Sequence, residues 1–215
     1  MPTMEEEILN NQMDMKEKIK SDLIACKKAF DFVGIPWVIT DGIVLGYARY
    51  KDIMAWDTDV DMAVVAEITD IQLLQLFNAL RAVGFQVGNE KTDFIFAMRE
   101  TTFNGWLFHK NGDYYEAFPK STPGVKFVDK AQWYDEPQMV DFLGDKFPMP
   151  NHMNDYLNCQ YGIGWETNIV KNHEEFFIYK RGGRELSTWT TGRCSKDGNL
   201  WPKILKIEDD IKDLS

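Results

Sequence analysis

Residues 57 to 61 read Asp57-Thr58-Asp59-Val60-Asp61, and the apolar run Met62-Ala63-Val64-Val65 follows directly. Such a run is expected to be a buried strand, and here it is entered through three aspartates. On a strand, side chains alternate, so Asp57, Asp59 and Asp61 share one face while Val60, Met62 and Val64 share the other. Neighbouring carboxylates then stand about 7 Å apart. At an effective dielectric near 20, each such pair repels by roughly 2 kcal/mol. A bound divalent cation reverses that local energetics, because hard cations take carboxylate oxygens as ligands. Two plainer readings compete. Aspartates at the mouth of a strand often do no more than solvate a turn. A calcium-binding EF-hand loop also opens Asp-x-Asp-x-Asp, but it needs Gly at its sixth position and Glu at its twelfth. Those positions hold Met62 and Ile68, so the calcium loop is excluded.

A chain of 215 residues fits one domain, or one domain with an elaboration. Hydrophobic content of 44% with 13% aromatics is that of a globular chain. The net charge of −10 excludes a large nucleic-acid surface, yet leaves room for a local basic pocket that holds one phosphate. Cys26, Cys159 and Cys194 are widely spaced and form no Cys-x-x-Cys, so neither a disulfide framework nor a zinc site is expected. His109, His152 and His173 lack metal-ligand spacing. The first residues are acidic where a signal peptide is basic and then apolar, and no apolar run is long enough to span a bilayer. A cytoplasmic chain without a membrane segment is the expectation.

Periodicity and punctuation predict the elements. Asp14 to Val33 reads as an amphipathic helix with Ile19, Leu23, Cys26, Phe30 and Val33 on one stripe, ended by Gly34 and Pro36. Trp37 to Thr40 is a strand, Asp41-Gly42 a turn, and Ile43 to Tyr50 a short helix. Asp59 to Val65 is the next strand. A helix over about 70–83 follows, capped by Thr69 or Asp70 and stopped by Gly84. Phe94 to Met98, Gly105 to His109 and Tyr114 to Phe118 are strands, the last two joined by an Asn111-Gly112 turn. Asn151 to Gln160 is helical, Phe176 to Tyr179 a strand, and a final helix follows Pro202. The pattern predicts a single α+β domain over 1–215, a small mixed sheet flanked by helices. Residues 14–120 would form the core with the metal site, and 121–215 a C-terminal elaboration.

Read together, Gly42-Ile-Val-Leu45-Gly46, then Arg49, then Trp56-Asp57-Thr-Asp59-Val-Asp61, resemble the LicD/fukutin family of the DNA polymerase β-like nucleotidyltransferase superfamily. A second block, Tyr114-Tyr-Glu116-Ala-Phe-Pro119, is similar to that family's Val-Asp-Ile-Phe-Pro. A third runs through Phe142-Leu-Gly144-Asp-Lys-Phe-Pro148 and Tyr161-Gly162-Ile-Gly-Trp165. Three ordered blocks span about residues 36 to 166. Departures are visible too: Ile43 stands for the usual Thr, Thr40 where members often carry Asp, Ala55 for Pro, and Glu116 for Asp.

The resemblance implies a polymerase β-like nucleotidyltransferase core and a phosphotransferase that uses Mg²⁺ or Mn²⁺. Asp59 and Asp61 would be the metal-binding pair, with Glu116 on a neighbouring strand as third carboxylate and general base. Asp57 either joins them as a ligand or holds the strand entry. Gly42 would admit a phosphate to the helix N-terminus, and Arg49 would neutralise its charge. Gly46 would join Gly42 at the substrate or serve packing, and Lys51 would join Arg49 at the phosphates or be ordinary surface charge. Lys180-Arg181-Gly-Gly-Arg184 is a second candidate phosphate contact, set against a solvated turn. The implied donor is a nucleotide-activated small molecule such as CDP-choline or CDP-ribitol, and the acceptor a glycan or other hydroxyl, with no nucleic acid as partner. Two alternatives stand beside it. One is a nucleotidyltransferase moving NMP from an NTP to a small molecule or protein. The other is an inactive nucleotide- or protein-binding module.

Overall fold

The computed structural model describes residues 4–88, 94–117, 127–161 and 165–166. Its first element is the long helix α1 (Met4–Val33), ten residues longer at its N-terminus than the apolar stripe predicts. The stripe itself is as expected: Ile19, Leu23, Cys26 and Phe30 are fully buried. Gly34 ends the helix at φ +73°, and Gly34 N and Ile35 N both donate to Phe30 O. A residue with a Cβ would be strained at that φ.

Strand β1 (Trp37–Ile39) leads into α2 (Asp41–Tyr50), then β2 (Asp59–Val64) and α3 (Asp70–Ala82). Thr69 caps α3 through a reciprocal pair with Gln72, a capping box. Strands β3 (Gln86–Val87), β4 (Phe94–Met98) and β5 (Thr102–Leu107) complete a sheet of order β1-β2-β5-β4-β3. Only the β2–β5 pair is parallel, so the sheet is mixed. Helices α1 and α3 pack together, and Phe103 of β5 meets Phe30 and Phe85 at ring-centroid distances of 6.1 Å each. A second, three-stranded sheet follows from β6 (His109–Asn111), β7 (Tyr114–Ala117) and β8 (Phe127–Lys130). A hairpin of β9 (Gln138–Phe142) and β10 (Asp145–Met149) packs beside β1, where Phe147 meets Trp37. Helix α4 (Met153–Tyr161) is the last element among the described residues. The expected α+β class, a mixed sheet flanked by helices, is what the chain adopts.

The differences from expectation are local. Asp41 does not make a turn but opens α2 at φ +54°, with Thr40 extended as the cap. The hairpin loop between β6 and β7 is Gly112-Asp113, one residue later than expected, because Asn111 already pairs with Tyr114. The β9–β10 hairpin was not anticipated: its loop needs positive φ at both Leu143 and Gly144, and Leu is a poor advertisement for that. Cys26 is free and buried, but Cys159 is disulfide-bonded, which the cysteine spacing gave no reason to expect. The strand expected at 176–179, the helix after Pro202 and the 180–184 stretch lie outside the described residues. Among the described residues no helix is long and apolar enough to cross a membrane.

Candidate active site

The site forms where β1 ends and β2 begins. Thr40 N donates to Asp61 O at 3.0 Å, which holds the start of α2 beside the aspartates of β2. Along β2 the exposure alternates as the sequence pattern requires. Asp59 and Asp61 are half-buried on one face, and Val60 and Met62 are fully buried on the other. Asp59 pairs with Thr102 and Asp61 with Asn104 across the parallel strand β5. Asn104 Nδ2 donates to Asp59 Oδ2 at 3.0 Å. No spacing in the sequence points to Asn104; only the strand register reveals it.

Asp57 stands apart from that pair. It is 9% exposed, and its carboxylate rests on Gly42: a Cβ built on Gly42 would lie 2.8 Å from Asp57 Oδ2 and 3.1 Å from Oδ1. An anion held there faces the first turn of α2, where the helix dipole favours negative charge. Gly42 therefore admits a carboxylate of the chain itself at the place expected to receive phosphate. Asp41 is a further acidic residue that the sequence reading did not select. It is 2% exposed, and its backbone N–H donates to the Tyr156 hydroxyl at 2.9 Å. The buried Tyr161 hydroxyl is held well above its ordinary pKa, first by burial and then by nearby negative charge on Asp41, Asp57 and Asp61, with Tyr156 also contributing. Two tyrosines of α4 thus meet this acidic group: Tyr156 through its hydroxyl at Asp41 N, and Tyr161, which holds its proton among Asp41, Asp57 and Asp61.

The remaining expected residues are placed elsewhere. Gly46 sits under the returning chain, where a Cβ would meet Asp52 O at 2.7 Å, so its role is packing. Arg49 donates from Nε to Trp165 O at 2.7 Å and also from Nη2, tying the residues after α4 to α2. Lys51 Nζ lies 4.0 Å from the centre of the Tyr47 ring, a cation–π contact. Arg49 is seven residues along α2 from Gly42, about 10 Å of helix rise. Glu116 is buried on β7, where it pairs with His109 and Val128 in the second sheet, not on a strand beside β2. Among the described residues no three His, Cys, Asp or Glu side chains are grouped closely enough to hold one ion. The structure brings Asp59 and Asp61 together, keeps Asp57 close by at α2, and leaves Glu116 outside that group.

A glycine-headed helix set against paired aspartates at the mouth of a mixed-sheet strand defines a transferase of phosphorus-containing groups on a nucleotidyltransferase domain. Residues 34–152 match the family described as LicD/FKTN/FKRP, nucleotidyltransferase domain, and the chain belongs to that family. Among solved structures, the solution structure of the antibiotic-resistance factor ANT(2'')-Ia is similar at 13% identity and a TM-score of 0.49. It covers 79% of this chain and 86% of its own. The crystal structure of ANT(2'')-Ia with adenylyl-2''-tobramycin is similar at 14% identity and a TM-score of 0.45, covering 76% and 89%. No curated protein matches the chain.

Proposed function

We propose that the chain moves a substituted phosphate, phosphocholine or an alditol phosphate, from a CDP-linked alcohol to a hydroxyl of a glycan, releasing CMP. The attacking hydroxyl oxygen forms the new P–O bond and gives up its proton, and CMP leaves with the electron pair of the bond that breaks. Membership of the family supports the reaction class. The observation that carries the reading is the pairing of Asp59 and Asp61 on one half-exposed face at the open mouth of β2.

Those two carboxylates suit Mg²⁺. It commonly takes one or two carboxylates, keeps several waters, and completes its shell with substrate phosphate oxygens. Asp59 and Asp61 would hold it, and Asn104 fixes the orientation of Asp59 through Oδ2. When bound, the ion supplies neutralisation of the charge that builds on the transferring phosphate. The buried Tyr161 hydroxyl keeps its proton at ordinary pH and adds no competing charge.

The test is incubation of the purified chain with CDP-choline, CDP-ribitol or CDP-glycerol, a glycan acceptor and Mg²⁺. CMP release that Asp59→Asn abolishes is the expected result. Pyrophosphate released from an NTP, with no CMP from any CDP-alcohol, would instead assign NMP transfer. Absence of both, across a broad donor panel, would remove the enzymatic reading.

A further inference from the structure

The face of the sheet that carries Asp59 and Asp61 continues past them. Strand pairing sets Asn104 opposite Asp61 and Phe96 opposite Asn104; in the next row, Thr102 is opposite Asp59 and Met98 opposite Thr102. The reverse face is closed, with Phe103 packed on Phe30. On the open face Phe96 and Met98 remain 38% and 49% exposed, two residues apart on β4, which lies between β5 and the short edge strand β3. A strand so placed ordinarily buries such side chains or replaces them with polar ones. The row beyond is filled by the Phe94–Trp106 ring pair, with centroids 4.4 Å apart. The result is an apolar platform, walled at one end, that is continuous with the paired carboxylates.

Asn104 joins the two. A carboxylate only accepts hydrogen bonds, so the amide that meets Asp59 must present its nitrogen to it. That leaves Oδ1 as an oriented acceptor, and the described residues supply it no donor. An apolar shelf beside a fixed amide oxygen fits a flat heteroaromatic ring that carries an exocyclic amino group.

We propose that this face seats the base of the donor nucleotide: the ring stacks on Phe96 and Met98, and Asn104 Oδ1 accepts from its amino group. The assignment rests on the reading that the phosphates lie at Asp59 and Asp61. From Asp61 to Phe96 is two strand spacings, about 10 Å, which the nucleotide's sugar bridges. Cytosine and adenine offer the amino donor that Asn104 needs, whereas uracil places a carbonyl oxygen there. The platform therefore selects amino-bearing bases by an acceptor that a uracil ring leaves unsatisfied.

Calorimetric titration with CMP, UMP and ribose 5-phosphate, free of any acceptor, tests the seat without requiring turnover. Wild type is expected to bind CMP more tightly than UMP and more tightly than ribose 5-phosphate. Phe96→Ala should weaken CMP about tenfold, within the range known for base–aromatic stacking, and leave ribose 5-phosphate unchanged. Phe32→Ala, which removes an 85% exposed ring on α1, should change neither. If Phe96→Ala fails to fold, Met98→Ala is read in the same way. The proposal is overturned if the platform variants leave CMP binding intact, if they weaken ribose 5-phosphate equally, or if wild type binds CMP no better than the base-free sugar. CMP release from a CDP-alcohol by wild type is scored separately, so the seat can fail while the reaction stands.

Discussion

Gly42 and Asp57 are in contact: the glycine leaves a space that the Asp57 carboxylate fills, 2.8 Å from where a Cβ would be. Sequence separation hides this, because fourteen residues intervene, among them the rest of α2. The contact fixes the start of α2 against the entry to β2, and so sets the relative position of the helix N-terminus and the paired aspartates.

Gly42→Ala should therefore displace Asp57 or the first turn of α2. Overpacking of a close contact costs about 1–3 kcal/mol. The expected outcome is a lowered urea midpoint together with a fall in kcat/KM of at least tenfold. Adding Asp57→Ala to Gly42→Ala should recover part of the stability, since the clashing oxygens are gone; strictly additive effects of the two substitutions would show that the contact carries no energy.

Asp59→Asn and Asp61→Asn should leave the fold intact and remove the activity. Each takes away one of two mutually repelling carboxylates, so the melting temperature should hold or rise slightly. Losing stabilisation of several kcal/mol in the transition state corresponds to on the order of a thousandfold in kcat. Glu116→Gln discriminates between two arrangements. With Glu116 buried on β7 in the second sheet, CMP release is expected to stay within about threefold of wild type. A loss as large as that of Asp59→Asn would mean that β7 reaches the site during catalysis.

Asp22 is fully buried on α1 and accepts from Arg99 Nη1 at 2.8 Å, Thr101 N at 2.7 Å and Thr101 Oγ1 at 2.8 Å. It ties α1 to the turn between β4 and β5, on the helix-covered side of the sheet. Asp22→Ala leaves the Thr101 amide and hydroxyl without their acceptor, at a cost of about 1–3 kcal/mol or more. Urea denaturation should show that loss, with activity per folded molecule unchanged. A parallel fall in specific activity at full folding would place Asp22 in the transmission of geometry to β5 and Asn104.

What was legible in the sequence was what depends on local pattern. The alternation from Asp59 to Val64 gave the strand and its charged face, and the spacing from Ile19 to Phe30 gave the buried stripe of α1. Gly34 and Gly84 mark helix ends because only a left-handed residue closes those turns, at φ +73° and +101°. What was not legible depends on register. Asn104 enters the site because Gly105 lies opposite Met62, a pairing that no motif encodes. Glu116 was expected beside β2 because its block resembles one that supplies a metal ligand. The pairing of β7 with β6 and β8 takes it into another sheet. The resemblance implied Arg49 as a phosphate contact, yet in the structure its guanidinium donates to the Trp165 carbonyl, 116 residues on.

Alkaline pH should destabilise the chain through tyrosines that hold their protons. The Tyr115 hydroxyl donates to Asp135 Oδ1 at 3.1 Å, and burial, that hydrogen bond and the Asp135 charge push its pKa up from 10.0 to about 12. Burial and the aspartates around it raise Tyr161 in the same direction. Below pH 10 both folded and unfolded chains keep these protons, so the stabilising difference is fully present. Above pH 10 the unfolded chain releases them first and binds fewer protons than the folded one, so stability falls as pH rises. For Tyr115 the loss runs from about pH 10 to about pH 12. The urea midpoint of wild type should decline across that window, and Tyr115→Phe should decline less steeply. Comparing the two at each pH cancels the lysines that titrate in the same range. Equal slopes for both proteins would show that Tyr115 ionises no later in the folded chain than in the unfolded one.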